Sequence, residues 1–275
     1  MNNKEVKLTK KNYEKDAIQE WNRLTKDPFH KIEFDTTIKF LKKYLPKKSF
    51  ILDAGGGPGR YAIELAKIGH DVVLFDLVPG HLEIARKKIK KEKVQTKIKD
   101  VVEGSITDLS KFEDNSFDVV LCLGGPLSHV NPESERQKAI NELLRVAKKG
   151  ALIFVSVMSK YGVLLATPLG WPQEVEYKKH FENLVSNGED YKWRGEGYCH
   201  YFTSSELESI FAKKNVQVIE KVGLEGLNVS PEATNNFAKK YPKAWKNWLA
   251  IHDKICTDPI IVDLSGHMMI IVKKR

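Results

Sequence analysis

Short apolar runs separated by longer polar stretches organise the middle of the chain. Runs at residues 50–53, 72–76, 101–103, 119–123 and 152–157 are rich in Val, Ile and Leu. That composition suits strands buried on both faces. Between them, residues 59–67, 79–91 and 132–147 read as helices. The last of these opens with Asn131 and Pro132 and stops at Lys148, Lys149 and Gly150. Those are a cap, a first-turn proline and C-terminal stop signals. Strand and helix in alternation predict stacked βα units on a parallel sheet.

The ends follow other patterns. Residues 4–45 read as two helices broken at Asp27 and Pro28. The first carries Tyr13, Ala17, Trp21 and Leu24 along one face, and the second carries Ile38, Leu41 and Leu45. Residues 159–203 lose the βα rhythm and gather Trp171, Tyr177, Phe181, Tyr191 and Trp193. These aromatics either build a small core within the insertion or line an apolar pocket. The rhythm returns with a helix at 205–214 and strands at 216–222 and 267–272, with Trp245 and Trp248 in a helical stretch between the two strands. The expected fold is α/β, a doubly wound, mostly parallel seven-stranded sheet with helical lid insertions. Residues 1–34 would form an N-terminal helical lid on a domain of residues 35–275, with insertions at about 159–203 and 226–266. All three additions adjoin the edge where ligands of such sheets bind.

The chain has 275 residues, 41% of them hydrophobic, enough to build a full core. No apolar run approaches the roughly 18 residues that a membrane span needs. The first sixteen residues lack the hydrophobic segment of a secretory signal. Three widely spaced cysteines, Cys122, Cys199 and Cys256, make neither a disulfide framework nor a zinc motif. A reducing cytoplasm is the expected compartment. The net charge of +9 invites a nucleic-acid reading. However, 38 of the 45 basic residues are Lys, and nucleic-acid sites favour the planar fork of Arg. The basic run at residues 86–99 is expected to be a solvated helix face.

The most informative segment is Ile51-Leu52-Asp53-Ala54-Gly55-Gly56-Gly57-Pro58-Gly59-Arg60, a strand, a glycine-rich turn and a helix start. Glycines let a ligand approach the backbone closely. Dinucleotides and S-adenosylmethionine both use such turns. Asp53 stands two residues before the first glycine, where a carboxylate would repel a pyrophosphate. It would favour the ammonium and sulfonium of S-adenosylmethionine, and it could also cap the turn. Asp76 ends the second run, 21 residues beyond Gly55, a spacing that fits an acid accepting bonds from ribose hydroxyls.

Three further strings complete an ordered set: Glu103-Gly104-Ser105-Ile106-Thr107-Asp108, Phe117 to His129, and Leu143 to Gly150. With them the chain resembles the class I S-adenosylmethionine-dependent methyltransferases, within the small-molecule group. The resemblance covers residues 35–158 most strongly. It implies S-adenosylmethionine as cofactor, with Gly55 and Gly57 on its methionine part and Asp53 behind them. It places Asp76 on the ribose, Leu77 against adenine, and Ser105 and Ile106 beside the ring. Many family members have Asp where Ser105 stands. Leu123 and Gly124 would line the pocket near the sulfonium.

His129 follows the fourth strand, where an acceptor could meet the methyl group, and is the candidate general base. Tyr13, Trp21 and His200 are candidate substrate contacts. His267 reads as structural, and the His and acidic residues show no metal-ligand spacing. The expected activity is in-line methyl transfer to a small-molecule acceptor. The rivals are an RNA or protein methyltransferase and a non-catalytic cofactor-binding module. Asp53 argues against a nicotinamide oxidoreductase.

Overall fold

The computed structural model describes residues 3–193, 195 and 197–275, with the side chains of residues 3–5 and 193 left out. Its strands are β1 (Phe50–Ala54), β2 (Asp71–Asp76), β3 (Ile98–Glu103), β4 (Phe117–Cys122), β5 (Ala147–Met158), β6 (Glu189–Trp193), β7 (Gly197–His200), β8 (Val216–Gly223) and β9 (His267–Lys274). Seven of them form one sheet in the order β3-β2-β1-β4-β5-β9-β8, and β6 and β7 form a separate hairpin. β1 to β5 pair in parallel, while β9 runs antiparallel to both β5 and β8. The strand order reverses between β1 and β4. The loops after those strands part there and open a crevice.

Both sheet faces are covered, which is why the runs are apolar throughout rather than alternating. Along β4, Val119 and Leu121 join one core cluster, and Val120 and Cys122 join the other. The first cluster also takes α3 (Pro28–Tyr44), α4 (Arg60–Lys67) and α5 (Pro79–Lys91). The second takes α6 (Glu133–Val146) and α9 (Ser204–Ala212). α3 begins as its sequence directs: Asp27 accepts from the His30 N–H at 3.0 Å and Pro28 occupies the first turn.

The N-terminal segment holds three helices rather than two. α1 (Asn3–Lys15) and α2 (Ala17–Arg23) break at Asp16, and α3 runs unbroken past residue 34, where a lid boundary was expected. The first insertion forms α7 (Lys160–Gly170), α8 (Lys178–Asn187) and the β6–β7 hairpin. Its small core is Leu184, Cys199 and Tyr201, with Met158, Val163 and Leu164 packed against them. Of the aromatics read as either a small core or a pocket lining, Trp171, Tyr177 and Tyr191 join neither this core nor the cleft at the C-terminal ends of β1, β2 and β4. They are more than half exposed, at 54%, 53% and 52%, while Phe181 is half-buried. The Trp193 side chain lies outside the described residues. The second insertion forms α10 (Pro231–Lys240), α11 (Pro242–Ile255) and α12 (Pro259–Leu264). Cys122, Cys199 and Cys256 are all buried free thiols. No described helix is long and apolar enough to cross a membrane.

A chain of buried charges ties the N-terminal helices to the sheet. Arg23 donates to Glu20 at 2.8 Å and to Glu33 at 2.6 Å. Glu225, just past β8, accepts from His267 Nδ1 at 2.6 Å and from the His267 N–H at 2.7 Å. Glu33, Glu225 and His267, distant in sequence, place ligand-type atoms within 4.8 Å of one another. Arg23 and the imidazolium supply the positive charge this acidic group needs. Burial works against charge on His267, but attraction from Glu33 and Glu225 pushes it up to about 9.

The sign follows from that direction. An unfolded imidazole titrates near 6.5, so the folded state holds an extra proton between about 6.5 and about 9. Urea titrations should show full stability below this window and a decline as pH rises through it. The His267→Gln variant should lose that dependence, and an undiminished decline would refute the assignment. Gly162 tests how the first insertion is clamped: a Cβ there would lie 2.1 Å from the Ser265 carbonyl oxygen. Gly162→Ala should therefore cost about 1–3 kcal/mol in the same assay, against no change if the contact is loose.

Candidate functional site

The C-terminal ends of β1, β2 and β4 frame a cleft with about 910 Å³ of unfilled space, open to solvent. Its floor is the glycine-rich turn between β1 and α4. Gly55, Gly57 and Gly59 take φ of +79°, +57° and +82°, a region that strains residues with side chains. At Gly55 a Cβ would also meet Pro126 at 2.5 Å. Glycine thus gives the turn both its shape and its open floor.

Asp76, at the tip of β2, connects that turn to the next helix. One carboxylate oxygen accepts from the Gly57 N–H and the other from the Val78 N–H, each at 2.8 Å. The oxygen bonded to Gly57 retains a second acceptor position, while the other also has His81 Nδ1 at 3.3 Å. Asp76 lines the cleft beside Leu77 and Val78. It is therefore not a helix cap; Val78 holds that position at α5.

Asp53 is placed differently. It is fully buried and sits under the turn, and a Cβ on Gly56 would lie 2.5 Å from its Oδ2. It is not among the residues lining the cleft. Neither carboxylate oxygen has a well-formed hydrogen bond. Burial, then repulsion from Asp76, pushes its carboxyl up to about 7, with the Ala62 amide offsetting part of the rise. Asp53 supports the turn from behind rather than facing a ligand.

Of the other expected cofactor residues, Ser105, Ile106 and Leu123 line the cleft with Gly104 and Gly124. The Ser105 hydroxyl is engaged with the Thr107 hydroxyl at 2.9 Å. The wall opposite comes from the N-terminal helices: Thr9, Tyr13, Glu20, Arg23 and Leu24. Trp21, expected as a substrate contact, instead packs in the core, with the Arg60 guanidinium 3.7 Å from its ring centre. His200 is likewise away from the cleft, buried and bonded to Glu206 at 2.6 Å. Among the described residues, none from 159–203 lines the cleft.

Three cleft residues carry no sequence motif: Glu20, Arg23 and His81. Burial works against charge on Glu20, but the Arg23 guanidinium holds its carboxyl below the usual range. The only signal for Arg23 was its type, since arginines are few. His81 lies 3.3 Å from Asp76 through Nδ1, and its ring packs edge-on to Tyr13.

His129 also lines the cleft. Its Nδ1 lies 3.0 Å from the Tyr198 carbonyl oxygen, and its Nε2 lies 3.0 Å from the Tyr13 hydroxyl. The β6–β7 hairpin therefore orients the imidazole through its backbone. Arg136 braces the same junction, donating to the Val130 carbonyl at 3.1 Å and the Tyr198 hydroxyl at 2.8 Å.

The donor set suits S-adenosylmethionine. Asp76 has acceptor capacity for ribose hydroxyls, and Leu77 and Ile106 offer apolar walls for a base. Carboxylates under and beside the turn oppose a pyrophosphate there.

Comparisons with known proteins agree. Residues 51–150 match the family model described as a methyltransferase domain. The chain is 29% identical over 118 residues to a glycine/sarcosine N-methyltransferase of Aphanothece halophytica, 43% of each chain. It is 36% identical over 110 residues to a demethylmenaquinone methyltransferase of Clavibacter sepedonicus, 40% of this chain and 41% of that one. The chain thus matches about two fifths of the length of these relatives. A solved S-adenosylmethionine-dependent methyltransferase from Methanosarcina mazei shares the fold, with a TM-score of 0.56 and 20% identity. That match covers 86% of this chain and 96% of that one. Glycine turn, strand-end acid, strand order and family match agree: residues 51–150 carry a methyltransferase domain of the class I S-adenosylmethionine-dependent kind, with S-adenosylmethionine as its cofactor.

Proposed function

We propose that the protein transfers a methyl group from S-adenosylmethionine to a small-molecule acceptor held under α1 and α2. The observation that carries this reading is the shared cleft: the Asp76 acid and glycine turn face Tyr13, Glu20 and Arg23 across one space. When bound, S-adenosylmethionine supplies an electrophilic methyl group. The protein's part is to hold both reactants in line and to exclude water. Asp76 holds the ribose, the glycine turn leaves room for the methionine part, and Leu123 and Gly124 border the reacting end. Asp53 stiffens the turn from below.

One relative is named for glycine and sarcosine and another for demethylmenaquinone. The cleft's cations are Arg23 and Arg60, and among the described residues no Lys lines it. Arg23 is committed to Glu20 and Glu33. Within the basic run, Lys97 and Lys99 pair with Asp71. Both points favour a small acceptor over RNA, whose phosphates would need free cations at the rim.

Calorimetry should detect binding of S-adenosylmethionine and its demethylated product, and none of NAD; the reverse pattern would sink the reading. Asp76→Ala should weaken cofactor binding by about 1–3 kcal/mol, the cost of unsatisfied hydroxyls, and an unchanged dissociation constant would remove Asp76 from the site. Deleting residues 1–15 removes the Thr9 and Tyr13 wall but leaves Trp21 and Leu24 in the core. That variant should stay folded by circular dichroism and lose turnover. Normal turnover would show that α1 does not close the acceptor pocket.

A further inference from the structure

We propose that Tyr13 and His129 form a proton relay, with the Tyr13 hydroxyl meeting the acceptor and His129 storing the proton behind it. This rests on the methyl-transfer reading above and names the acceptor's chemistry: a group that must give up an O–H or N–H proton.

The hydrogen bonds fix the direction of the relay. The Tyr198 carbonyl can only accept, so its 3.0 Å partner, His129 Nδ1, carries a hydrogen. In the neutral ring Nε2 is then bare and accepts from the Tyr13 hydroxyl at 3.0 Å. His129 therefore reaches an acceptor through Tyr13. Both side chains line the cleft, as do Pro126 and Leu123. The Tyr13 ring stands edge-on between His81 and His129, with ring centres 5.7 and 5.6 Å away. Its hydroxyl is thereby held in one place.

The step balances. The acceptor atom bonds to the methyl carbon as the carbon–sulfur bond breaks, and that electron pair stays on sulfur. The acceptor's proton passes to the Tyr13 oxygen while the Tyr13 proton passes to His129 Nε2. The resulting imidazolium keeps its Nδ1–H on the Tyr198 carbonyl and later gives the new proton to water. No further reactant is required. Tyr13 arrives on α1, whereas His129 comes from the loop after β4 and is oriented by β7. The relay is therefore complete only when α1 lies over the cleft.

Two measurements on the full-length protein test this. Nitrogen-15 spectra of labelled histidine, with His129→Asn identifying the resonance, should show a neutral ring with hydrogen on Nδ1. Tyr13→Phe should shift the Nε2 signal. A hydrogen on Nε2, or no response to Tyr13→Phe, would overturn the relay without any acceptor being known. Turnover is then measured with glycine, sarcosine and catechol as probes, which separate amine from hydroxyl acceptors. Tyr13→Phe and His129→Asn should each lower turnover by about 100-fold or more, change the cofactor dissociation constant less than about twofold, and abolish the acid limb of the pH profile. Wild-type turnover by Tyr13→Phe overturns the relay. If no probe is methylated, the nitrogen spectra decide it. Failure of the unmodified protein to bind S-adenosylmethionine would overturn the methyl-transfer reading instead, so the two failures are distinct.

Discussion

The Asp76 carboxylate holds the cleft together. Its two oxygens take backbone N–H groups from the glycine turn and from the start of α5. Two loops that leave different strands are thereby set at a fixed separation, and the floor between them stays open. The same carboxylate lines the cleft, so the group that sets its shape is also exposed to whatever occupies it. Asp53 beneath it is drawn into this arrangement. With little water and a like charge nearby, its proton is held more tightly than a carboxyl normally holds one.

The N-terminal helices depend on a second constraint, charge pairing in a dry place. Arg23 is bonded to one acid on its own helix and another on α3. The second acid approaches His267 at 3.9 Å, at the start of a strand inside the sheet. Removing any one charge would leave its partner buried and unmatched. α2 is thus part of the folded body, with Trp21 and Leu24 in the core, and α1 is left as the segment able to act as a cover.

Much of this was legible in the sequence, for definable reasons. Strands such as 119–123 are apolar throughout because both faces are covered, and that signal is strong. β5 begins five residues earlier than its apolar run because Ala147 already pairs with Phe117, and the exposed Lys148 and Lys149 lie where the register shifts before Leu152. Gly55, Gly57 and Asp76 were readable because glycine and a strand-end acid follow from backbone geometry. Trp21 and Tyr13 share a face in sequence, but the break at Asp16 turns Trp21 into the core and leaves Tyr13 at the cleft. His200 and His129 looked equivalent as loop histidines. Only the partners, Glu206 for one and Tyr13 for the other, tell them apart, and the Tyr13 pairing spans 116 residues, with no local pattern.

The three free cysteines occupy three different parts of the molecule. Cys122 ends β4 in the central sheet, Cys199 lies in the β6–β7 hairpin, and Cys256 follows α11 in the second insertion. All three are at most 1% exposed, and burial raises each thiol above its ordinary pKa, Cys122 to about 12. A thiol reagent in solution can therefore react with each only when its surroundings open. The rate of alkylation at each cysteine becomes a clock for the breathing of its own part, and the chain carries three such clocks without engineering.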